Sequence, residues 1–146
     1  YGFSLNEMYS DLASLKAKSV TVIMDACFSG GSRPSAMYKS ESVANQKLVI
    51  TDFAEMEKPW LENDNFRVFT SSRGDQTSQG RDLSRSGLFT YYIAIGLQGD
   101  ADADKDGSIT MAELVGFVTE NVHNESNGEQ TPQFYGNYDF VLEQIK

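Results

Sequence analysis

The sequence has 146 residues, of which 40% are hydrophobic and 12% aromatic, enough for the core of one globular domain and too many for a disordered chain. Twelve Lys and Arg stand against 21 Asp and Glu, and the net charge of −9 argues against a nucleic-acid-binding or anionic-membrane-binding surface. No apolar run approaches the roughly 20 residues that span a bilayer, and a single cysteine excludes an internal disulfide.

The first half of the chain contains one helical and two strand-like patterns. Ser4 and Glu7 have the spacing of a capping box, and they precede a helix whose apolar face is formed by Leu5, Met8, Tyr9, Leu12 and Leu15. The β-rich apolar run Val20–Met24 predicts a strand that is buried on both faces, as in a parallel sheet. A Gly- and Ser-rich loop is predicted at 30–42 and a weaker strand at 47–51.

The second half continues the alternation. Its patterns predict a buried strand, an apolar helix, an amphipathic helix and a final strand, at 67–71, 88–97, 111–122 and 138–145 respectively. The polar stretch 73–85 predicts a long loop, and Gly99 is a suitable stop for the first of the two helices. Because strands and helices alternate along the chain, we predict an α/β fold.

Residues 102–113 match the twelve-residue EF-hand loop at every defining position. Calcium takes about six to eight oxygen ligands, which such a loop presents from alternate residues. The predicted ligands are side chains, with a main-chain carbonyl at the fourth position: Asp102, Asp104, Asp106, Ser108, Thr110 and Glu113. Gly107 permits the sharp turn, and Ile109 is expected to anchor the loop in the core. Thr110 and Glu113 also have the spacing to cap the helix that follows. We predict a Ca²⁺ site; the alternative is an acidic, solvated loop that only resembles one.

The single cysteine, Cys27, comes directly after the predicted strand Val20–Met24 and shortly before Gly30 and Gly31. The carboxyl end of a parallel strand is where α/β proteins place reactive groups, and the glycines leave room for a substrate backbone. A small buried cysteine without chemistry is the alternative. Position alone leaves both interpretations of Cys27 open.

The residues around the cysteine resemble a known family. Residues 20–31 are similar to the nucleophile segment of caspase-like cysteine peptidases, closer to metacaspases and bacterial caspase homologues than to animal caspases, which carry Gln in place of Asp25. Further similar segments follow in the family's order, at 69–78, 86–92 and 130–133. Bacterial members often carry an EF-hand-like loop between the two helices, as here.

The resemblance implies the fold and the extent of the domain. We expect a three-layer α/β/α sandwich with a mostly parallel central sheet. Residues 1–146 would be the C-terminal portion of a single caspase-like peptidase domain, with its N-terminal strands missing from this chain. Without those strands, the strand Val20–Met24 would have an unpaired edge, which folded proteins avoid.

The resemblance also implies a Cys–His dyad, in which the imidazole accepts the thiol proton and later protonates the leaving amine. In caspase-type enzymes that histidine lies roughly 50 residues before the cysteine, which falls ahead of Tyr1. The single histidine, His123, has no catalytic counterpart in the family and is expected to be an ordinary surface or cap residue. We therefore expect an upstream fragment of the same precursor, or a second chain, to supply the catalytic histidine and the missing strands.

Metacaspase-like members cleave after Arg or Lys, and the resemblance assigns the acidic residues of the substrate pocket to Asp25 and Asp75. Carboxylates pair with a guanidinium and repel an acidic side chain. The alternatives are a carboxylate that holds backbone amides for Asp25, and a loop cap for Asp75. Arginines in the predicted loops would be sites of autoprocessing, at Arg33, Arg73, Arg81 and Arg85.

Two functions from different classes follow. The first is a cysteine endopeptidase that cleaves peptides or proteins after Arg or Lys and needs its histidine-bearing partner. The second is a catalytically inactive, caspase-like calcium-binding interaction module. The sequence leaves the cellular compartment open.

Overall fold

The computed structural model describes residues 4–25, 58–71 and 87–145. Three α-helices lie in these segments: α1 (Leu5–Ser14), α2 (Leu88–Ile95) and α3 (Met111–Glu125). A short 3-10 helix lies at Pro59–Leu61. Five strands accompany them: β1 (Val20–Met24), β2 (Phe66–Thr70), β3 (Ser108–Thr110), β4 (Gln133–Tyr135) and β5 (Val141–Gln144). Helices and strands alternate as the sequence predicts, and the fold is of the α/β class.

The central sheet has the order β1-β2-β4 in the described part of the chain. β1 pairs with β2 in parallel, from Val20 opposite Phe66 to Met24 opposite Thr70. β4 pairs with the other edge of β2 and runs antiparallel to it. The predicted strand Val20–Met24 is observed with the same bounds, and the strand predicted at 67–71 lies one residue earlier.

All five residues of β2 are buried, and its alternate side chains face two separate hydrophobic clusters. Phe69 belongs to a cluster with buried side chains of α2 and α3, among them Phe89 and Leu114. Phe66 and Val68 belong to a second cluster with Tyr9 of α1 and with Trp60. β2 is therefore the centre of the described core. The complete three-layer sandwich with its mostly parallel sheet stays a prediction.

Arg67 is the largest polar side chain in this core and is only 1% exposed. Its Nε donates to the carbonyl of Asn137 (3.0 Å), and its two terminal nitrogens donate to the carbonyls of Asn65 (3.3 Å) and Asp64 (3.4 Å). The guanidinium carbon lies 4.0 Å from the ring centroid of Phe140. Burial lowers the pKa of Arg67 below its usual value. Arg67 thus fastens the segment before β5 to the central sheet.

Helix α1 begins where the sequence predicts, because the Ser4 hydroxyl accepts a hydrogen bond from the Glu7 amide at 3.5 Å. The predicted apolar face packs against the second cluster through Leu5, Met8, Tyr9 and Leu12. Leu15 differs from the prediction: it follows the last helical turn and is 55% exposed.

The predicted helix 88–97 is shorter as an α-helix, because α2 ends at Ile95 and a π turn follows at Gly96–Asp100. Gly99 adopts a φ of +131°, which favours glycine and ends the helical segment. A side chain at Gly96 would place its Cβ 2.8 Å from Leu114 Cδ1, so glycine permits the close packing of this turn on α3. None of the helices in the described segments is long and apolar enough to cross a bilayer.

The C-terminal region differs most from the sequence prediction. β4 was not predicted, and the predicted strand 138–145 is observed as the shorter β5. β5 pairs with β3 in a separate two-stranded antiparallel sheet, not with the central sheet. The predicted strand 47–51 and the predicted loops 30–42 and 73–85 lie outside the described residues.

Candidate functional site

Asp25 lies immediately beyond β1, at the carboxyl end of the parallel β1–β2 pair. Its side chain is exposed, and its Oδ2 accepts a hydrogen bond of 2.6 Å from the Thr90 hydroxyl in the first turn of α2. A carboxylate in this place also benefits from the positive end of the helix dipole. The structure therefore holds the predicted substrate-binding carboxylate between the end of a strand and the start of a helix.

The carboxyl ends of β1 and β2 are tied together next to Asp25. The Ser71 amide donates to the Met24 carbonyl at 3.0 Å, and the Ser71 carbonyl accepts from Gln130 Nε2 at 2.8 Å. Ser71 and Gln130 are both fully buried. The main chain of Gln130 is held in turn by the Ser126 hydroxyl. Gln130 therefore fixes the end of β2, a role that the sequence did not predict because it depends on a contact between distant residues.

The predicted nucleophile Cys27 and the second predicted acidic residue Asp75 lie outside the described residues. The four arginines predicted as processing sites lie outside them as well: Arg33, Arg73, Arg81 and Arg85. Of the predicted catalytic and substrate-binding residues, the structure thus describes Asp25. The predictions for the others stay predictions.

The acidic loop brings three of its predicted ligands together, because oxygen atoms of Asp102, Asp104 and Asp106 lie within 4.8 Å of one another. Local hydrogen bonds shape it: Asp102 accepts from the amides of Asp106 (3.2 Å) and Gly107 (3.1 Å). Asp106 accepts from the Ser108 amide at 2.7 Å. Gly107 has a φ of +83°, which explains the glycine at the turn, and Ile109 is fully buried as expected.

Glu113 occupies the last position of the loop and caps α3. Its Oε2 accepts from the amide and the hydroxyl of Thr110, at 2.9 and 2.8 Å, while the Thr110 hydroxyl accepts from the Glu113 amide at 3.2 Å. Its Oε1 accepts from the Ala103 amide at 3.1 Å. The Thr110 amide, and then the Thr110 hydroxyl, lower the pKa of Glu113. The capping role of this pair is therefore observed, and Glu113 faces back across the loop.

The chemistry of the loop suits a hard divalent cation. Its candidate ligand groups are carboxylates, a hydroxyl and one main-chain carbonyl, all oxygen ligands of the kind that calcium takes. In the segments that the structure describes, Asp102, Asp104 and Asp106 form the one such group of three metal-ligating side chains.

His123 lies near the end of α3, is exposed, and has its Nδ1 3.3 Å from the Thr131 hydroxyl. It borders a groove of about 750 Å³ between α3 and the segment around β4, lined also by Val115, Phe134 and Tyr138. The groove contains none of the predicted catalytic, substrate-binding or calcium-binding residues. The structure thus gives His123 a local contact in the turn that follows α3.

Comparison with known proteins agrees with the resemblance seen in the sequence. Residues 4–140 match the caspase domain family of peptidases. The matched range includes the β1–β2 pair with Asp25, the position of Cys27 and the whole acidic loop. No curated protein and no solved structure matches the chain significantly.

Proposed function

Because the chain belongs to the caspase domain family, we propose that it is a cysteine endopeptidase that cleaves after Arg or Lys with Cys27 as its nucleophile. The observation that carries this proposal is the carboxylate of Asp25, which is exposed and anchored at the carboxyl end of β1, two residues before the cysteine. A guanidinium or ammonium group in the substrate finds a fixed negative partner there. Asp75 would supply a second carboxylate to the same pocket.

The proposed reaction is acyl transfer to sulfur followed by hydrolysis. A histidine accepts the Cys27 proton, the thiolate attacks the scissile carbonyl, and the imidazolium then protonates the leaving amine. Water, deprotonated by the same histidine, releases the acyl group and restores the thiol. The main-chain amide of Cys27 would help to stabilise the oxyanion.

We place the catalytic histidine on an upstream fragment of the precursor, or on a partner chain, that pairs with β1. In the described residues β1 pairs with β2 alone. The side chains of β1 are half-buried or exposed, with Ile23 43% exposed, whereas all of β2 is buried. An edge of β1 that no described residue pairs, together with its partly exposed apolar side chains, supports a further strand at this position.

The peptidase is tested with short fluorogenic substrates that end in Arg, Lys, citrulline or Asp, using the chain together with its upstream fragment. We expect cleavage after Arg and Lys, loss of activity in Cys27→Ala, and loss of the preference for charge in Asp25→Asn. Asp11→Asn is the matched control, because Asp11 is exposed on α1. Cleavage after Asp, or full activity in Cys27→Ala, would refute the proposal.

We further propose that the peptidase processes itself after one or more of its loop arginines, at Arg33, Arg73, Arg81 or Arg85. Mass spectrometry of the purified protein is expected to find fragments that end in these residues, and Cys27→Ala to stay intact. Cleavage of the Cys27→Ala protein at the same rate would assign the cuts to another protease.

We also propose that the acidic loop binds Ca²⁺ through Asp102, Asp104, Asp106, the Ser108 carbonyl, Thr110 and Glu113. The three clustered aspartates, with Glu113 held across the loop by the Ala103 amide, support this site. Bound calcium would stabilise the loop by balancing the negative charge of its carboxylates. The proton transfers of the reaction would involve only groups of the protein.

Calcium binding is tested by thermal unfolding with and without millimolar Ca²⁺, with Mg²⁺ in parallel. Calcium at about 100 times its dissociation constant would add about 2.7 kcal/mol to the free energy of unfolding. Asp104→Ala should abolish the gain, while Asp11→Ala should keep it. A calcium-stabilised protein with no peptidase activity under any condition would favour the second function, an inactive calcium-binding interaction module.

A further inference from the structure

The carboxylate of Asp25 is held from α2, an element that begins more than sixty residues later in the chain. The Thr90 hydroxyl has one proton, and it donates this proton to Asp25 Oδ2 over 2.6 Å. That length lies within the usual range of an O–H···O hydrogen bond. Both side chains are exposed, and this hydrogen bond uses one of the two carboxylate oxygens of Asp25.

Gly87, the N-cap residue of α2, lies directly against the same carboxylate. A Cβ at this position would be 2.2 Å from Asp25 Oδ2 and 3.1 Å from its Cγ. Any side chain at Gly87 would therefore push the carboxylate away from Thr90. The φ of Gly87 is −62°, which every residue adopts, so the space for Asp25 is the reason for glycine here.

We infer that Thr90 is a positioning residue for substrate selection: together with Gly87, it fixes the carboxylate of Asp25 in the orientation that receives the basic side chain of the substrate. This inference rests on the proposed function, in which Asp25 binds Arg or Lys. An Asp side chain at the end of a strand is free to rotate about two bonds, and the hydrogen bond removes that freedom before substrate arrives. The resulting gain in affinity applies only to substrates with a positively charged side chain, because it depends on the carboxylate of Asp25.

The alternative is that the contact only stabilises the start of α2. Loss of stability would lower the amount of folded enzyme and reduce cleavage of every substrate alike. Loss of positioning would instead raise KM for arginine substrates and leave citrulline substrates, which have the same shape without the charge, nearly unchanged. The ratio of kcat/KM for arginine to that for citrulline therefore separates the two roles.

The experiment measures this ratio in the complete peptidase, with the histidine-bearing fragment present. In Thr90→Val, which keeps the shape and loses the hydroxyl, we expect the ratio to fall about tenfold through KM, with kcat unchanged. Thr90→Ser, which keeps the hydroxyl, should have the same ratio as the wild type. Gly87→Ala should lower it by a similar factor, because the methyl group displaces the same carboxylate. Gly116→Ala is the control glycine substitution, since its Cβ would meet nothing within 4 Å.

Asp25→Asn separates the failure of this inference from the failure of the proposed function. If Asp25→Asn abolishes the preference for arginine while Thr90→Val and Gly87→Ala both keep it, Asp25 selects the substrate without help from α2, and the inference is wrong. If Asp25→Asn keeps the preference, or if the wild type has none, the proposed role of Asp25 is wrong and the inference fails with it. Should Thr90→Val fail to fold, the ratio in Gly87→Ala, compared with that in the control Gly116→Ala, decides the question.

Discussion

The two faces of β2 are covered very differently. In the described residues, eleven buried hydrophobic side chains form the cluster on the side of α2 and α3, and four form the cluster on the side of α1. The α1 side is completed by half-buried residues, including Val20, Val22 and Met24 of β1. Among the described residues, β2 thus joins a thick layer to a thin one, and the thin layer includes side chains of β1, with which we propose that a further strand pairs.

The largest expected effect comes from a matched pair of substitutions on the two faces. Phe69 and Phe66 are both fully buried in β2, the first towards α2 and α3 and the second towards α1. Phe69→Ala should cost about 4 kcal/mol of unfolding free energy and Phe66→Ala about 3 kcal/mol, because the thinner layer collapses more easily around a cavity. Urea unfolding measures both losses.

Equal m-values in the two variants would show that only the stability has changed. If Phe66→Ala cost as much as Phe69→Ala or more, the α1 side would be as rigid as the other. The comparison between the two faces would then be wrong.

Arg67 tests the polar contacts on the thick side, namely its hydrogen bonds and its contact with the Phe140 ring. Arg67→Met keeps the stem of the side chain and leaves three main-chain carbonyls without their guanidinium donor, at a cost of about 2–3 kcal/mol. Arg67→Lys keeps the charge but has no planar set of donors, so it should recover less than half of the loss. Unfolding of the two variants in guanidinium chloride measures these losses of stability. If Arg67→Lys were as stable as the wild type, the charge of Arg67 alone would explain its effect.

The stability of the α1 side depends on pH through the buried side chain of Tyr9. Burial, and to a smaller degree the nearby Tyr135, raise the pKa of Tyr9 from 10.0 to about 12. The folded protein therefore holds this proton more tightly than the unfolded chain, and its stability falls as pH rises from about 10 to about 12. After solvent screening, we expect this loss to be about 2 kcal/mol.

Tyr9→Phe should remove most of this alkaline loss, whereas Tyr138→Phe should leave it, because Tyr138 is 48% exposed. Unfolding midpoints at pH 9 and pH 11 are sufficient to compare the variants. A loss of the same size in Tyr9→Phe would place the titrating group elsewhere.

The helix caps give the smallest effect. Thr110 and Glu113 form a reciprocal capping box at α3, whereas Ser4 makes a single hydrogen bond of 3.5 Å at α1. Thr110→Ala should cost about 1 kcal/mol and Ser4→Ala about 0.5 kcal/mol, measured by thermal unfolding in the presence of a chelator. The reverse order would show that α1 depends on its cap more than on its packing.

Local patterns predicted the elements of the fold well. The strand β1 was predicted from an apolar run, and it is observed. The two helix caps were predicted from residues three positions apart, Ser4 with Glu7 and Thr110 with Glu113, and both are observed. Each of these patterns depends only on neighbours in sequence. The α-helix that starts at residue 88 ends at Ile95, and the π turn that follows packs closely on α3, a contact that no local pattern contains.

Contacts between distant residues were beyond prediction. An alternating pattern indicates a strand at 138–145, but it does not say that this strand pairs with β3. The short β4 has too few residues for a period to show, and a charged residue such as Arg67 is ordinarily read as exposed. In the candidate site, the resemblance pointed to Asp25, while Thr90 and Gln130 were found only from the contacts they make.

The pairing of β5 with β3 has a consequence for local unfolding. β5 is exposed along most of its length, and the Ile145 amide donates to the carbonyl of Gly107 inside the acidic loop at 2.7 Å. Detachment of β5 therefore requires less free energy than unfolding of α3, and it leaves the loop without its neighbouring strand. Amide hydrogen exchange should show β3 and the loop exchanging together with β5, ahead of the core of α3. The acidic loop would then respond to the state of the C-terminal strand while the helix behind it stays folded.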